Sequence, residues 1–178
     1  MMRRDDPQFQ PPGTFDYFRK AFEIVKLNKP AMDEVATDRN AIRFGLVVTA
    51  TGGVLAVLPE SNFLGIAFAA VYSVVALFLF SALLHLSAGF SKGKEEFMGF
   101  VRIMALSGIL DWTVIIPMVG LFATIWSIVV AVVATRQIYD VGGGKATLCV
   151  LLSAFSLWMI SLILFAGPLG SLYDVPGR

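Results

Sequence analysis

One acidic side chain, Asp111, lies between two apolar stretches of the sequence. An ionisable group inside a membrane helix is costly and by default indicates function. Ser107 and Gly108 share its face of a helix, so this side is small and polar and suits the interior of a helix bundle. The residue types support two roles, a relay for protons or cations and a carboxylate that caps the bundle near its outer mouth. We expect the second.

Two more ionisable side chains, Arg102 and His85, lie in apolar surroundings. Arg102 precedes Asp111 by nine residues, which places it about half a turn out of phase, so the two charges cannot pair along one helix. His85 is the only histidine, and no carboxylate stands at a metal-binding spacing from it. His85 could face Arg102 or accept a bond from Ser81, one turn before it on the same helix, and of its possible roles we expect an interhelical hydrogen bond.

The sequence contains no recognisable catalytic or cofactor motif. Cys149 is the only cysteine, and the glycines at 142–144 before Lys145 lack the spacing and the hydroxyl residue of a phosphate-binding loop. No nucleophile stands with a base, and no pair of carboxylates is placed to share a cleft. The net charge of +1 gives no global field to attract nucleic acid. We therefore expect no enzymatic activity, no cofactor, no metal site and no nucleic-acid partner.

The composition places these residues in a membrane. Hydrophobic residues make up 57% of the chain and charged residues 15%, against about 45–50% and about 25% in globular domains. Uncharged runs at 61–91, 112–135 and 146–173 exceed the roughly 18 residues of a membrane-span candidate, and a shorter run covers 44–59. We predict an all-α integral membrane protein with five transmembrane helices, at 42–58, 63–90, 97–116, 119–136 and 145–169, with a turn at Pro117 and Gly120.

Loop charge favours five crossings and sets their orientation. With five helices, twelve Lys and Arg lie on one side and only Arg178 on the other, which is a positive-inside pattern. The alternative of four crossings makes 97–110 interfacial and puts Arg136 and Lys145 outside. We predict a multi-pass protein of a prokaryotic plasma membrane, with the N-terminus cytoplasmic and the C-terminus outside. Its parts are a disordered tail (1–13), a lead-in (14–40), the membrane domain (41–172) and an outer tail (173–178).

Apolar residues in the lead-in recur at helical spacing. They are Phe15, Phe18, Phe22 and Val25. The pattern predicts an amphipathic helix with Thr14 as its N-cap, and Pro30 suits the first turn of a second short helix. Both helices could lie along the inner membrane surface with the aromatic face on lipid, or this face could pack against the ends of the membrane helices.

Small residues in the first membrane helix also recur at a regular spacing. Gly45, Thr49 and Gly53 follow one another at intervals of four. Such residues let another helix approach closely. We expect that partner to be another helix of this chain, rather than a second copy of it.

Several short stretches occur in an order typical of one family. They are Leu-Asn-Lys-Pro-Ala-Met at 27–32, His85, Gly-Phe-Ser-Lys-Gly-Lys-Glu-Glu-Phe at 89–97, Pro117 with Gly120, and Arg-Gln-Ile-Tyr-Asp at 136–140 leading through three glycines to Lys145. Over roughly residues 15–165 the chain resembles the Yip-one domain family, five-pass membrane proteins whose eukaryotic members interact with Ypt/Rab GTPases in vesicle trafficking. The resemblance implies the five-helix fold and its topology.

Two departures from the family speak against GTPase binding. Family members usually have a Gly-Gly-Lys-Gly-like inner loop, whereas this chain reads Ser-Lys-Gly-Lys-Glu-Glu at 91–96. The long acidic N-terminal region of the Rab-binding members is also absent. The resemblance is thus to a compact prokaryotic relative, and it supplies no catalytic residues.

Two functional hypotheses follow. In the first, the protein is non-enzymatic and organises the membrane or recruits partners at its cytoplasmic face, with the bilayer, another protein or a second copy of itself as partner. In the alternative, it is a small ion-coupled transporter or channel that uses Asp111, with His85 and Arg102 tuning the inner half.

Overall fold

The computed structural model describes residues 13–58, 62–89 and 94–166, and all the regular structure in these ranges is helical. The predicted tails 1–13, except Gly13, and 173–178 lie outside them. The helices are α1 (Thr14–Val25), α2 (Lys29–Thr37), α3 (Ala41–Val57), α4 (Phe63–Gly89), α5 (Lys94–Ser107), a 3-10 helix (Gly108–Ile115), α6 (Pro117–Tyr139) and α7 (Gly143–Ala166).

Four segments are long and apolar enough to cross a membrane. They are Phe63–Ala88, Glu96–Ile115, Pro117–Tyr139 and Gly143–Leu164. A fifth is obtained only when α2 and α3 are taken as one span, and these two helices meet at a bend of 109°. By itself α3 has 17 residues, or about 26 Å at the α-helical rise. The structure therefore gives four to five candidate spans.

The sequence suggested a continuous α-helix for the third span, but the structure shows that its helix type changes along its length. The α-helix ends at Ser107, and the chain continues as a 3-10 helix to Ile115. Gly108 lowers the local preference for α-helix, and Thr49 of α3 packs directly on it, since a Cβ at Gly108 would lie 3.1 Å from Thr49 Oγ1. Ile116 then adopts an extended conformation before Pro117, as the residue before a proline commonly does.

α5 lies at the centre of the bundle. It contacts α1, α2, α3, α4 and α6. In its span 56% of the apolar stretch is buried, against 11–28% in the other three spans. The other spans turn large apolar side chains outward, including Val71 of α4, Phe122 of α6 and Phe155 of α7. Apolar faces of this extent are unusual on a protein surrounded by water, and they suit lipid.

The small residues of α3 permit close contact with two different helices. A Cβ on Gly45 would lie 2.6 Å from Ala105 Cβ of α5, and one on Gly53 would lie 2.6 Å from the Ala69 carbonyl oxygen of α4. Thr49 Oγ1 donates to the Ala105 carbonyl at 3.2 Å. Eight residues advance about 80° beyond two full turns, so Gly53 faces a different neighbour from Gly45.

We call α1 and α2 together the lead-in layer. This layer packs against the bundle, mainly on α5, with Tyr17, Ala21 and Ile24 of α1 and Met32 and Val35 of α2 buried. The two helices thus pack on the bundle, but mainly through residues outside the predicted aromatic face.

The predicted aromatic face of α1 is split by this packing. Phe18 packs edge-on against Phe44 and Trp112, at 5.0 and 6.0 Å between ring centroids. Phe15 and Phe22 point away from the bundle and are 89% and 54% exposed. The four residues predicted to form one face are therefore divided, with Phe18 and Val25 packed on the bundle and Phe15 and Phe22 outside it. The helix docks through the side that carries Tyr17, which lies about 160° around the helix from Phe15.

Candidate functional site

Asp111 lies in the 3-10 helix beside α3, and two neighbours fix its position. The indole Nε1 of Trp112 donates to the Val48 carbonyl at 2.9 Å, which ties the 3-10 helix to α3. Gly52 leaves room for the acid, because a Cβ there would lie 2.9 Å from Asp111 Cβ. The Asp111 side chain is exposed and has no hydrogen bond or ion pair within the described ranges.

Asp111 lines a cavity of about 400 Å³ in the bundle. α3, α4, α5, the 3-10 helix, α6 and α7 all contribute to its wall. Its polar lining consists of the carboxylate and five hydroxyl side chains, those of Thr49, Ser73, Ser107, Thr124 and Ser127. The remaining lining residues are apolar or glycine, and they are Ala76, Leu77, Phe80, Met104, Gly108, Ile128, Ala131, Val150, Ala154 and Leu157.

The hydroxyl groups around the cavity all donate to backbone carbonyls. Ser107, Thr124 and Ser127 bond to the carbonyls of Met104, Gly120 and Ala123, each at 2.9 Å. Ser73 bonds to Ala70 at 2.9 Å and Thr49 to Ala105 at 3.2 Å. A hydroxyl has one proton and two lone pairs, so only acceptor capacity remains on these groups for a ligand.

His85 takes part in a different contact. Its Nδ1 lies 3.0 Å from the Tyr139 hydroxyl of α6, and its ring packs on those of Phe97 and Tyr139. Ser81 donates instead to the Leu77 carbonyl. The expected interhelical hydrogen bond is thus present, with Tyr139 as partner in place of either Arg102 or Ser81.

Arg102 is buried and fixes the lead-in layer. Its Nη1 donates to the Ala36 carbonyl in the last turn of α2, where a cation also complements the helix dipole. Its Nε has no hydrogen-bond partner in the described part of the chain. Asp111, His85 and Arg102 therefore do not converge on one site, and only Asp111 lines the cavity.

A polar cluster in the lead-in layer was not predicted. Lys20 of α1 is buried, and its Nζ lies 3.0 Å from Glu34 Oε1 and 3.8 Å from Asp38 Oδ2. The Tyr17 hydroxyl donates to Asp38 Oδ2 at 2.9 Å. Burial, reinforced by the hydrogen bond to Asp38, raises the pKa of Tyr17 to about 12. The sequence shows these charges, but only the turn between α1 and α2 brings them together.

Two side chains of α6 hold the same layer from the other side. Trp126 Nε1 donates to the Val25 carbonyl at 2.8 Å, at the end of α1. Gln137 Nε2 donates to the Lys29 carbonyl at 2.8 Å and also to the Asp33 carboxylate. These contacts join residues about 100 positions apart, and no local pattern in the sequence signals them.

The fold and cavity define an all-helical bundle with four to five helices long and apolar enough to span a membrane. Comparison with protein-family models, curated proteins and solved structures finds no match. The Yip-one resemblance accordingly stays a prediction made from the sequence stretches given above.

Proposed function

We propose that this is a non-enzymatic polytopic membrane protein of Yip-one-like organisation, which acts at its cytoplasmic face by organising the membrane or recruiting a partner. The lead-in layer is the acting element. In the orientation predicted from loop charge, the N-terminus that leads into this layer is cytoplasmic.

The observation that carries the proposal is the exposure of two aromatic side chains on a helix that is otherwise held firmly. Phe15 and Phe22 point outward at 89% and 54% exposure, although the opposite face of α1 is buried. Arg19 and Lys26 lie on the same outward side, with side chains 76% and 68% exposed. Both cations are paired with acids of the same helix, Asp16 and Glu23, so the two exposed aromatic rings are the part of this face that would contact lipid or another protein.

The fixed position of α1 also supports this proposal. Arg102, Trp126 and Gln137 bind the layer to α5 and α6, so α1 presents Phe15 and Phe22 in one orientation. A preorganised surface loses less conformational entropy on binding than a free helix does.

Site-specific photo-crosslinking in intact cells tests the proposal. A benzophenone amino acid placed at Phe15 or Phe22 is expected to form adducts with lipid or with another polypeptide, and the mass of the adduct identifies which. The same probe at Phe18 is the matched control, and it should crosslink within the chain, to the segments around Phe44 and Trp112. Equal yields of intermolecular adducts at all three positions, or none at Phe15 and Phe22, would refute the proposal.

A second candidate function, a small ion-coupled transporter or channel, is favoured by the cavity that Asp111 lines. His85 and Arg102 have no part in it, because they bind Tyr139 and α2 instead. Proteoliposomes loaded with a pH-sensitive dye test this function. It requires a flux that wild-type protein supports and Asp111→Asn abolishes, and traces that match empty vesicles would exclude it.

A further inference from the structure

The polar groups that line the cavity beside Asp111 offer hydrogen-bond acceptors and a negative charge, but few donors. Ser107, Thr124 and Ser127 already donate their only side-chain protons to backbone carbonyls, so their lone pairs are what a ligand meets. Among the described residues that line the cavity there is no Lys, Arg or His to compensate the carboxylate. A ligand that complements this wall must itself bring positive charge and hydrogen-bond donors.

The apolar part of the wall indicates that the remainder of the ligand is apolar. Leu77, Phe80 and Leu157 are among the side chains that make most of the wall apolar. Hard metal cations are held by six or more oxygen ligands in a tight shell. The described wall instead has one carboxylate and five hydroxyl groups spread over α3, α4, α5 and α6. An aromatic ring such as that of Phe80 attracts an ammonium group at its face.

The volume of the cavity and the unpaired state of the Asp111 carboxylate among the described residues agree with a ligand of this kind. The volume of about 400 Å³ falls in the range of about 300–1,000 Å³ that small-molecule sites occupy. The Asp111 carboxylate has no hydrogen bond or ion pair to any described residue, so an incoming cation would not first have to displace a protein partner.

We propose that this cavity binds a small organic monocation, an ammonium group on an apolar body, with the Asp111 carboxylate as its counter-ion. The hydroxyl oxygens accept hydrogen bonds from the ammonium, and the apolar wall holds the body. The proposal concerns binding alone, so it does not depend on the role of the lead-in layer.

Binding of 2-phenylethylammonium to the full chain in lipid nanodiscs tests the proposal, with empty nanodiscs measured in parallel to subtract partitioning into lipid. Propylbenzene is the matched neutral probe, because it replaces the ammonium with a methyl group of similar size. We expect saturable binding of the ammonium and much weaker binding of propylbenzene.

Two variants separate the charge from the shape of the site. Asp111→Asn removes the charge at nearly constant volume and should weaken binding of the ammonium by about tenfold or more. Ala154→Leu leaves the charge and fills part of the cavity, and it should weaken binding of both probes. Asp140→Asn is the control for the loss of one carboxylate elsewhere. Asp140 lies at the end of α6 in a left-handed conformation that Asn also adopts readily.

Several results would overturn the proposal. These are no saturable binding at millimolar ammonium, equal affinity for propylbenzene, or unchanged ammonium binding in a folded Asp111→Asn variant. Full displacement of the ammonium by sodium ions at equal concentration would instead make this a metal-ion site. Circular dichroism and gel filtration establish that each variant is folded before its binding is measured.

Discussion

The lead-in layer and the cavity both contain charged side chains, but among the described residues the charges are paired in the layer and unpaired in the cavity. In the layer, Lys20 contacts two carboxylates, and Arg102 of α5 caps the end of α2. In the cavity, Asp111 is left without a hydrogen bond or ion pair to any described residue, although five hydroxyl groups line the same space.

The contrast separates polar groups that hold the fold from one that does not. Buried charges need partners, because an uncompensated charge in an apolar setting is expensive. The layer satisfies this requirement through contacts between α1 and α2 and between the layer and the bundle. Asp111 pairs with no group of the described residues, so removing its charge should leave the fold intact and alter only what the cavity binds.

The largest expected effect is the loss of Lys20. In Lys20→Ala, Asp38 and Glu34 lose the cation between them, and the free energy of unfolding should fall by about 2–3 kcal/mol. This is below the roughly 3–5 kcal/mol of a fully buried pair, because Glu34 is exposed. Denaturant unfolding in mild detergent measures this. Lys26→Ala, which removes an exposed pair with Glu23, should cost no more than about 1 kcal/mol. Equal losses in the two variants would mean that the layer cluster is not a structural element.

The next effect distinguishes the phenylalanines of α1. Phe18→Ala removes a half-buried ring from contacts with Phe44 and Trp112 and should cost about 1–2 kcal/mol. Phe15→Ala should change stability by less than about 0.5 kcal/mol, because its ring is 89% exposed. The same unfolding assay compares them, and a larger loss for Phe15 would contradict the orientation of α1 described above.

A smaller effect comes from the hydrogen bond between Tyr17 and Asp38. Burial raises the pKa of Tyr17 from 10.0 to about 12, so the folded state holds the phenol proton more tightly than the unfolded chain does. Its contribution to stability is fully present below pH 10 and is lost as the pH rises toward 12. Tyr17→Phe should cost about 1 kcal/mol at pH 8. Relative to wild type, the variant should lose less stability between pH 10 and 12, and parallel pH profiles would contradict this.

The smallest expected effect on stability concerns Asp111 in the cavity. Asp111→Asn should change the free energy of unfolding by less than about 0.5 kcal/mol, because no described residue depends on its charge. Asp38→Asn serves as the contrast and should cost about 1–2 kcal/mol, since it weakens contacts to Tyr17 and Lys20. A loss for Asp111→Asn as large as for Asp38→Asn would show that the cavity carboxylate is structural after all.

The positions of the long helices were largely predictable from the sequence. The segments expected at 63–90, 119–136 and 145–169 correspond to α4, α6 and α7 within about three residues at each described end. Hydropathy and proline positions act locally, so they mark where an apolar helix begins and ends. The span expected at 97–116 is present as Glu96–Ile115, and only its change to a 3-10 helix was missed, because that change depends on Thr49 of α3 packing at Gly108.

The sequence by itself determined that this chain forms apolar helices of membrane-spanning length and that Asp111 stands apart from the other charges. Only the tertiary structure decided that α1 docks through Tyr17 and leaves Phe15 outside, that Arg102 holds α2, and that Asp111 opens onto a cavity shared by five long helices. The reason is physical: the period of a helix defines its faces, but the choice among those faces, and the space left between them, depends on residues brought together from distant parts of the chain.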